Sequence, residues 1–408
     1  MLNWIKQFSI FLFMDSNEHT SAYGRYECLL GAGYPDNTSV TTLDEVYQSH
    51  LTHKDWLFGH IGYDYKQCID RKATKNHVSG NQWPALHFFC PKIVCYIPPD
   101  KCTLVIESIG DLPDDIYDAI LNTDIILSEL QPTVIFQYDV DKPEYLSVVE
   151  KLRQHIADGD CYEINYCTER YAHNVKISPH QVFSALNRLS SAPFAAYYRC
   201  DTNYMMCASP ERYLQKSGDK LISQPIKGTA RRDNDIQKDQ EIKEALQNST
   251  KEMAENVMIT DLVRNDLARS CKVGSIVVEE LFGIYAFPQV YQMISTVSGI
   301  MEENIPFTDA IRYSFPMGSM TGAPKAKVMQ LIDEYEMSAR SLFSGAVGYI
   351  NPNGDFDLNV VIRSLFYDEE TGHLSYQTGG AITYDSIAGQ EWEEMRLKAW
   401  ALERVFNG

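Results

Sequence analysis

The sequence predicts an α+β fold. Strand-like and helix-like segments are mixed along the chain without the regular strand–helix–strand alternation of a doubly wound sheet. Residues 1–135 are mostly strand-like and rich in loops, whereas strong helical patterns recur over residues 136–408. The chain has 408 residues, of which 44% are hydrophobic, so it can bury a sizeable core.

The first part of the chain supplies short apolar runs. Residues 8–14 follow Lys6 without a small-residue cleavage site, which predicts a buried strand, with a secretory signal as the alternative. Residues 93–97 lie between prolines and predict another strand. Residues 66–82 are polar and predict a surface loop, and a helix is expected over residues 114–130.

The second part is dominated by helical periodicity. Apolar residues recur at helical spacing over residues 142–158, and Gly159 marks the end of that helix. Residues 360–366 predict an apolar strand that contains Arg363. Further helices are predicted over residues 180–190, 235–269, 306–313, 324–336 and 389–406.

Composition excludes several classes of function. The chain has 36 Lys and Arg against 55 Asp and Glu, and a net charge of −19 opposes sequence-independent binding to nucleic acid or to an anionic membrane. It has no apolar stretch of transmembrane length. Ten cysteines without a C-x-x-C pair predict a reducing, cytoplasmic environment, and the histidines show no zinc-ligand spacing.

Two helices carry acidic residues on one face. Glu391, Glu394 and Lys398 recur at helical spacing near the C-terminus, and Glu252 and Glu255 repeat the pattern earlier. Taken alone, each pattern is more typical of a solvent-exposed face. Two such helices together could hold one hard cation such as Mg²⁺, which prefers oxygen ligands.

Glycine-rich turns and a strand arginine indicate an anion site. Residues 318–325 lead into a helix whose N-terminal N–H groups could bind an anion, with Thr321 or a neighbour as its cap. Residues 379–382 begin with two glycines and predict a second segment whose backbone can approach a ligand closely. Arg363 could hold a substrate carboxylate, or equally a structural Asp or Glu.

One lysine lies between Pro225, whose backbone is rigid, and Gly228, whose backbone is conformationally permissive. Lys227 stands in the segment PIKGT at 225–229. Most such lysines are exposed. In a closed, desolvated pocket, however, Lys227 would lose its proton readily and act as a nucleophile.

Together these segments resemble the chorismate-utilising enzymes, which include anthranilate synthase component I, aminodeoxychorismate synthase component I, isochorismate synthase and salicylate synthase. They span roughly residues 140–405 in family order, which makes the resemblance specific. The matching segments are GDCYEIN at 159–165, ASPER at 208–212, PIKGT at 225–229, AENVMITDLVRNDLAR at 254–269, FPMGSMTGAPK at 315–325, SGAVGYI at 344–350, VVIRS at 360–364, GGAITYDS at 379–386 and EWEEMRLKA at 391–399.

The resemblance implies two antiparallel β-sheets packed face to face with helices outside, as in anthranilate synthase component I. Residues 1–135 correspond to the variable N-terminal region and residues 136–408 to the catalytic region, merged into one unit. Within the family, lysine after Pro-Ile is typical of aminodeoxychorismate synthase component I, and this chain has Lys227 there. The resemblance therefore implies that the Lys227 amine attacks carbon 2 of chorismate, and that ammonia then enters at carbon 4 to give 4-amino-4-deoxychorismate.

The resemblance also implies roles for the other motifs. Glu211 is the acid that protonates the leaving hydroxyl, and we expect burial in an anionic site to raise its pKa. Glu255 and Glu394 match Mg²⁺ ligands, and Glu252 and Glu391 hold bound waters. The positions that match substrate-binding residues are Arg363, Tyr349, Lys398, Thr229 and the backbone of Gly318, Ser319 and Gly380.

Two positions depart from the family pattern. Glu163 stands where many members have glutamine, and no lysine occurs between Gly159 and Arg170 to activate water as isochorismate synthases do. Gln292 replaces a histidine that anthranilate synthases use in eliminating pyruvate, although some aminodeoxychorismate enzymes also have that histidine. Both departures favour the aminodeoxychorismate reaction.

The resemblance implies a glutamine amidotransferase partner that supplies ammonia in a heterodimer, and p-aminobenzoate and folate synthesis as the pathway. We expect the glutaminase and the lyase to be separate chains. Two alternatives remain. Anthranilate synthase component I would form a fluorescent product without the enolpyruvyl group, and a catalytically silent binding subunit would be expected to lack the set of acidic and basic residues listed above.

Overall fold

Two large antiparallel β-sheets pack face to face, with helices on their outer surfaces. The computed structural model describes residues 1–34, 39–69, 80, 83–124 and 131–407. The predicted α+β class and its α/β/β/α layers are therefore confirmed.

The strands are β1 (Ile10–Asp15), β2 (Cys28–Gly33), β3 (Leu57–Ile61), β4 (Leu86–Phe89), β5 (Ile93–Ile97), β6 (Val105–Ser108), β7 (Gln137–Tyr138), β8 (Glu163–Ala172), β9 (Phe194–Cys200), β10 (Asn203–Ser209), β11 (Arg212–Ser217), β12 (Lys220–Gln224), β13 (Ile226–Arg231), β14 (Val277–Ala286), β15 (Val290–Ile300), β16 (Gly322–Ala323), β17 (Ala346–Ile350), β18 (Phe356–Val360), β19 (Ser364–Asp368) and β20 (His373–Ile382). The helices are α1 (Leu43–His53), α2 (Lys66–Ile69), α3 (Pro113–Leu121), α4 (Lys142–Ala157), α5 (Pro179–Ser190), α6 (Ile236–Gln247), α7 (Thr250–Leu267), α8 (Phe307–Ser314), α9 (Lys325–Tyr335) and α10 (Ala388–Arg404). Short 3-10 turns occupy Trp4–Gln7, Tyr63–Tyr65 and Gly318–Met320.

Both sheets mix strands from distant parts of the chain. The first sheet has the order β16-β8-β20-β19-β10-β9-β1-β2-β5-β6, with β7 paired to β8. The second has the order β13-β15-β12-β11-β18-β17-β3-β4, with β14 paired to β15. In the first sheet, strands from residues 1–135 pair directly with strands from the second part through β1 and β9.

Strand alternation places the core on both faces of the first sheet. In β1, Ile10 and Leu12 face the second sheet, while Phe11 and Phe13 face the helices. Successive strand side chains point to opposite faces, so a strand buried on both faces is a continuous apolar run. This is why residues 8–14 contain a buried strand, as predicted.

Several predicted elements have different boundaries. The helix expected over residues 235–269 is two helices, because Ser249 caps α7 by accepting a hydrogen bond from the Glu252 N–H at 3.3 Å. The expected strand over 360–366 is interrupted at Arg363, whose φ is 54°. The helix expected over 114–130 is α3, and residues 125–130 lie outside the described part.

Two other local predictions were wrong. Thr321 does not cap α9: its hydroxyl donates to the Met317 carbonyl at 3.0 Å, and Pro324 occupies the position before the first residue of α9. Lys66 is 2% exposed in α2 and pairs with Asp333 at 2.5 Å, so the predicted surface loop begins after a buried ion pair. The remainder of that loop lies largely outside the described residues.

Within the described residues, no helix has the length and hydropathy needed to cross a membrane.

Candidate active site

A cavity of about 350 Å³ lies between α7 and α10, where β8 and β20 of the first sheet face β13 of the second. The described residues that line it fall between positions 165 and 402. The predicted site residues among them are Glu211, Lys227, Thr229, Glu252, Glu255, Ser319, Arg363, Glu391, Glu394 and Lys398. Residues far apart in the sequence therefore meet in one concave surface.

Lys227 lies on β13 at a local irregularity of the second sheet. Gly228 has φ of 97°, and the register between β13 and β15 shifts between Ile226 and Thr229. The Lys227 side chain is 11% exposed, and its Nζ donates to Glu163 Oε1 at 2.5 Å. Glycine favours this left-handed conformation because it has no Cβ.

The Lys227 amine is held as an ammonium. Burial alone lowers its pKa, but the Glu163 carboxylate, through its charge and hydrogen bond, and the charges of Glu255 and Glu211 outweigh burial, so that the pKa of Lys227 is raised. The expectation that desolvation would free this lysine of its proton is therefore wrong. An acidic partner in the same buried site reverses the effect.

Glu211 lies in the short connection between β10 and β11. Its N–H donates to the Ser209 hydroxyl at 3.2 Å, and the residue is 5% exposed. Burial raises the pKa of Glu211 to about 7, opposed by a hydrogen bond from Ser319 and by the charge of Lys227. The predicted raised pKa is confirmed, and a carboxyl with this pKa can carry a proton near neutral pH.

Four further carboxylates line the cavity, two from each of two helices. Burial raises the pKa of Glu252 and Glu391, and that of Glu255 to about 7. The pKa of Glu394 is lowered, because Lys398 lies 2.8 Å from its carboxylate. Glu391 is 5% exposed whereas Glu394 is half exposed, so only Glu394 resembles the solvent-exposed face that the isolated pattern indicates.

The donor chemistry of this group fits a hard cation. Carboxylate oxygens are the ligands that Mg²⁺ prefers, and Mg²⁺ usually takes only one or two protein carboxylates together with waters and substrate oxygens. Among the described residues, no three His, Cys, Asp or Glu side chains converge closely enough to enclose a metal by themselves. A metal held by these carboxylates would therefore need further ligands from water or from a substrate.

Arg363 provides a guanidinium at the cavity without an ion-pair partner among the described residues. Its carbonyl accepts a hydrogen bond from the Ala208 N–H at 3.1 Å, which fixes the backbone between β18 and β19. Burial lowers the pKa of Arg363, and the charge of Glu394 opposes this effect. The alternative of a structural pair for Arg363 therefore finds no support in the described residues.

Three predicted substrate-binding residues do not line the cavity: Tyr349, Gly318 and Gly380. Tyr349 packs against the rings of Tyr26, Trp56 and Phe58 between the two sheets. Its strand directs it into this aromatic cluster, so its prediction as a substrate contact is wrong. Phe343, which directly precedes that segment, lines the cavity instead.

The two glycines lie beside the cavity instead of in its wall. A Cβ on Gly318 would meet the Leu262 side chain at 2.4 Å, so glycine lets this turn approach α7 closely. A Cβ on Gly380 would lie 3.3 Å from Glu391 Oε2 and 3.8 Å from Lys398 Nζ. Lys398 also donates to the Gly379 carbonyl at 3.0 Å, which joins β20 to α10.

A buried clamp that the sequence did not indicate positions one wall. Arg340 and Glu336 pair at 2.6 Å with side-chain exposures of 1% and 4%. Arg340 donates to the carbonyls of Asn165 and Met320 at 2.9 and 2.7 Å, and the Asn165 amide donates to the Ser319 carbonyl at 2.5 Å. The clamp thereby ties β8 to the turn that contributes Ser319.

Comparison with known proteins agrees with this architecture. Residues 7–404 match the family model described as chorismate binding enzyme. The chain belongs to the chorismate-binding enzyme family. Members of this family act on chorismate, so the cavity described above is the candidate chorismate site.

Individual relatives refine the comparison. The chain is 30% identical over 377 residues to an anthranilate synthase component I-like protein from Synechocystis, covering 92% of this chain and 77% of that protein. It is 36% identical over 262 residues to aminodeoxychorismate synthase component 1 from Salmonella typhimurium, covering 64% of this chain and 57% of the relative. The chain thus spans little more than half of that relative.

Solved structures support the fold. Anthranilate synthase component I from Streptococcus pneumoniae superposes with a TM-score of 0.78 at 22% identity, covering 97% of this chain and 90% of that one. The menaquinone-specific isochorismate synthase from Escherichia coli superposes with a TM-score of 0.79 at 19% identity, covering 99% and 91%. Because members with different products share this fold, the product must be argued from the site.

Proposed function

We propose that the protein is aminodeoxychorismate synthase component I, which converts chorismate and ammonia to 4-amino-4-deoxychorismate. The observation that carries the proposal is Lys227: a lysine side chain, 11% exposed, lies in a cavity that also contains Glu211, a carboxyl able to hold a proton. Relatives named aminodeoxychorismate synthase component 1 support the same choice.

The two residues have complementary roles in this proposal. The Lys227 amine forms a bond to ring carbon 2 as the ring double bonds shift and the carbon 4 hydroxyl departs. Glu211 gives its proton to that hydroxyl, which leaves as water, because hydroxide is a poor leaving group. Ammonia then bonds to carbon 4, the double bonds shift back and the lysine is released.

The cationic groups of the site would bind the substrate. Chorismate is a dianion, and the free guanidinium of Arg363 can hold a carboxylate through two parallel hydrogen bonds. Lys398 and Ser319 line the same cavity and would add further contacts. Thr229, on β13, would add another.

The four glutamates require a compensating cation for an anion to bind beside them. We propose that Glu255 and Glu394 would hold Mg²⁺, with Glu252 and Glu391 hydrogen-bonded to its waters. When bound, the metal would neutralise the ring carboxylate and lower the repulsion between substrate and glutamates.

Ammonia requires a source, and the proposed working form is a heterodimer with a glutamine amidotransferase subunit. The name component 1 of the relatives is consistent with a second component. The product would pass to a lyase that forms p-aminobenzoate for folate synthesis, in the cytoplasm.

A product assay tests the proposal. The protein is incubated with chorismate, Mg²⁺ and ammonium, and an aminodeoxychorismate lyase is then added. We expect p-aminobenzoate that depends on the lyase, and its loss in Lys227→Ala, with partial rescue by added amines. Fluorescent anthranilate formed without lyase would instead identify an anthranilate synthase, which the Synechocystis relative keeps as the second candidate.

A further inference from the structure

A buried ion pair at the cavity joins Lys227 to Glu163, a residue without an assigned role. Glu163 begins β8 in the first sheet, and Lys227 lies on β13 in the second. The distance from Glu163 Oε1 to Lys227 Nζ is 2.5 Å, and the side-chain exposures are 0% and 11%. The pair therefore bridges the two sheets where bulk water has little access.

The Lys227–Glu163 pair leaves hydrogen-bonding groups unsatisfied. Among the described residues, Lys227 Nζ has no hydrogen-bond acceptor other than Glu163, and Glu163 Oε2 has no donor. A fully buried carboxylate normally satisfies both oxygens. A carboxylate kept for stability alone is expected to do the same, whereas the unsatisfied oxygen of Glu163 leaves this carboxylate with capacity to accept a proton.

The proposed chemistry needs an acceptor at this position. An ammonium has no lone pair, so Lys227 must lose a proton before its nitrogen can bond to carbon. Glu211 cannot take that proton, because its role requires it to hold one for the leaving hydroxyl. The carboxylates whose charges act on Lys227 are those of Glu163, Glu211, Glu252, Glu255 and Glu394.

We propose that Glu163 is the base that takes the proton of Lys227 and later returns it. This inference deepens the proposed function and rests on it. The Nζ–H bond breaks as an Oε1–H bond forms, which leaves a neutral amine and a carboxylic acid. The amine lone pair then forms the bond to carbon 2, and Glu211 protonates the departing hydroxyl.

The proton count closes over one turnover. After attack, the adduct nitrogen is a secondary ammonium, Glu163 is protonated and Glu211 is ionised. Ammonia adds at carbon 4, the bond between carbon 2 and Lys227 breaks, and the lysine leaves as a neutral amine. The new ammonium on the product gives one proton to Glu211, and Glu163 returns its proton to Lys227.

The test compares Glu163→Gln with a matched control. Glutamine keeps the shape of the side chain but cannot accept the proton. Asp333→Asn removes another buried lysine–carboxylate pair, with Lys66 at 2.5 Å, outside the cavity. Each protein is mixed with chorismate and Mg²⁺ without ammonia, and the rate of the covalent adduct at Lys227 is followed by intact-protein mass spectrometry from pH 6 to 9.

We expect the wild type and Asp333→Asn to form adduct at similar rates, because Asp333 lies outside the cavity and the proton transfer is internal to the Lys227–Glu163 pair. Glu163→Gln should react at least about 100-fold more slowly at pH 7. The ratio of its rate to the wild-type rate should rise about tenfold per pH unit, because free lysine then appears only by titration, whereas loss of the Glu211 proton above about pH 7 slows both proteins equally. Glu163→Asp should recover part of the rate and the wild-type pH profile, which also covers the case of a poorly folded glutamine variant.

Adduct formation in Glu163→Gln at the wild-type rate or faster, with the wild-type pH profile, would overturn the inference while leaving the proposed function intact. A second outcome would also overturn it: the wild type, without ammonia, forms an isomer of chorismate with its hydroxyl at carbon 2, and Glu163→Gln does not. Glu163 would then be a base for water and not for Lys227. Absence of adduct in the wild type would instead refute the covalent Lys227 step of the proposed function, on which this inference rests.

Discussion

Replacing Glu211 by glutamine should stabilise the protein at high pH while removing its activity. Glu211 is 5% exposed, and burial raises its pKa from 4.5 to about 7. Because its pKa in the folded state lies above that of the unfolded chain, its stabilising contribution is full below about pH 4.5 and is lost as pH rises through about 7.

The magnitude follows from the two pKa values. A difference of about 2.5 pKa units corresponds to about 3 kcal/mol in the free energy of unfolding. Glutamine has no charge to bury, so the free energy of unfolding of Glu211→Gln minus that of the wild type should increase by about 3 kcal/mol between pH 4.5 and pH 8. The other buried carboxylates are common to both proteins and cancel in the difference.

Urea unfolding of both proteins at several pH values measures this difference. Glu370→Gln, at an exposed position, is the control and should show no such trend. In parallel, activity of Glu211→Gln should fall by about 10²–10⁴-fold, because glutamine cannot protonate the leaving hydroxyl. A stability difference that stays constant with pH would refute the raised pKa, and retained activity would refute the acid role.

Two further predictions concern substrate binding and the buried clamp. Arg363→Lys keeps a positive charge but loses the planar fork, so KM for chorismate should rise at least about tenfold with a smaller change in kcat; an unchanged KM in steady-state kinetics would show that Arg363 does not bind the substrate. Arg340→Leu leaves Glu336 buried without a counter-charge and should cost about 3–5 kcal/mol in urea unfolding, whereas the double variant Arg340→Leu with Glu336→Leu should recover much of it. Equal losses in the single and double variants would contradict this account of the clamp.

Apolar periodicity predicted the α+β class and most of the helices, because it reports local structure directly, whereas the layers of the fold followed from the family resemblance. It also named ten residues that the fold brings to one cavity, through motifs that a family resemblance joined. Those motifs carry information on position, which periodicity alone does not. The boundary between residues 1–135 and 136–408 stays a prediction.

The wrong or missing predictions concern residues whose position or pKa depends on tertiary contacts. Tyr349 has the residue type of a substrate contact, but the direction of its strand buries it among aromatic rings. The pKa of Lys227 depends on Glu163, which is 64 positions away in sequence and on the other sheet. The clamp between Arg340 and Glu336 resembles an ordinary helical ion pair until its burial is known. Sequence periodicity contains no term for such long-range partners.

The covalent bond between Lys227 and chorismate is the central claim, and trapping it is the most direct test. The wild type is incubated with chorismate and Mg²⁺ without ammonia, quenched, digested and analysed by mass spectrometry. The account predicts a modification equal to chorismate less water on the peptide that contains Lys227, which ammonium then discharges to 4-amino-4-deoxychorismate. An unmodified Lys227 in protein that converts chorismate once ammonium is supplied would contradict it.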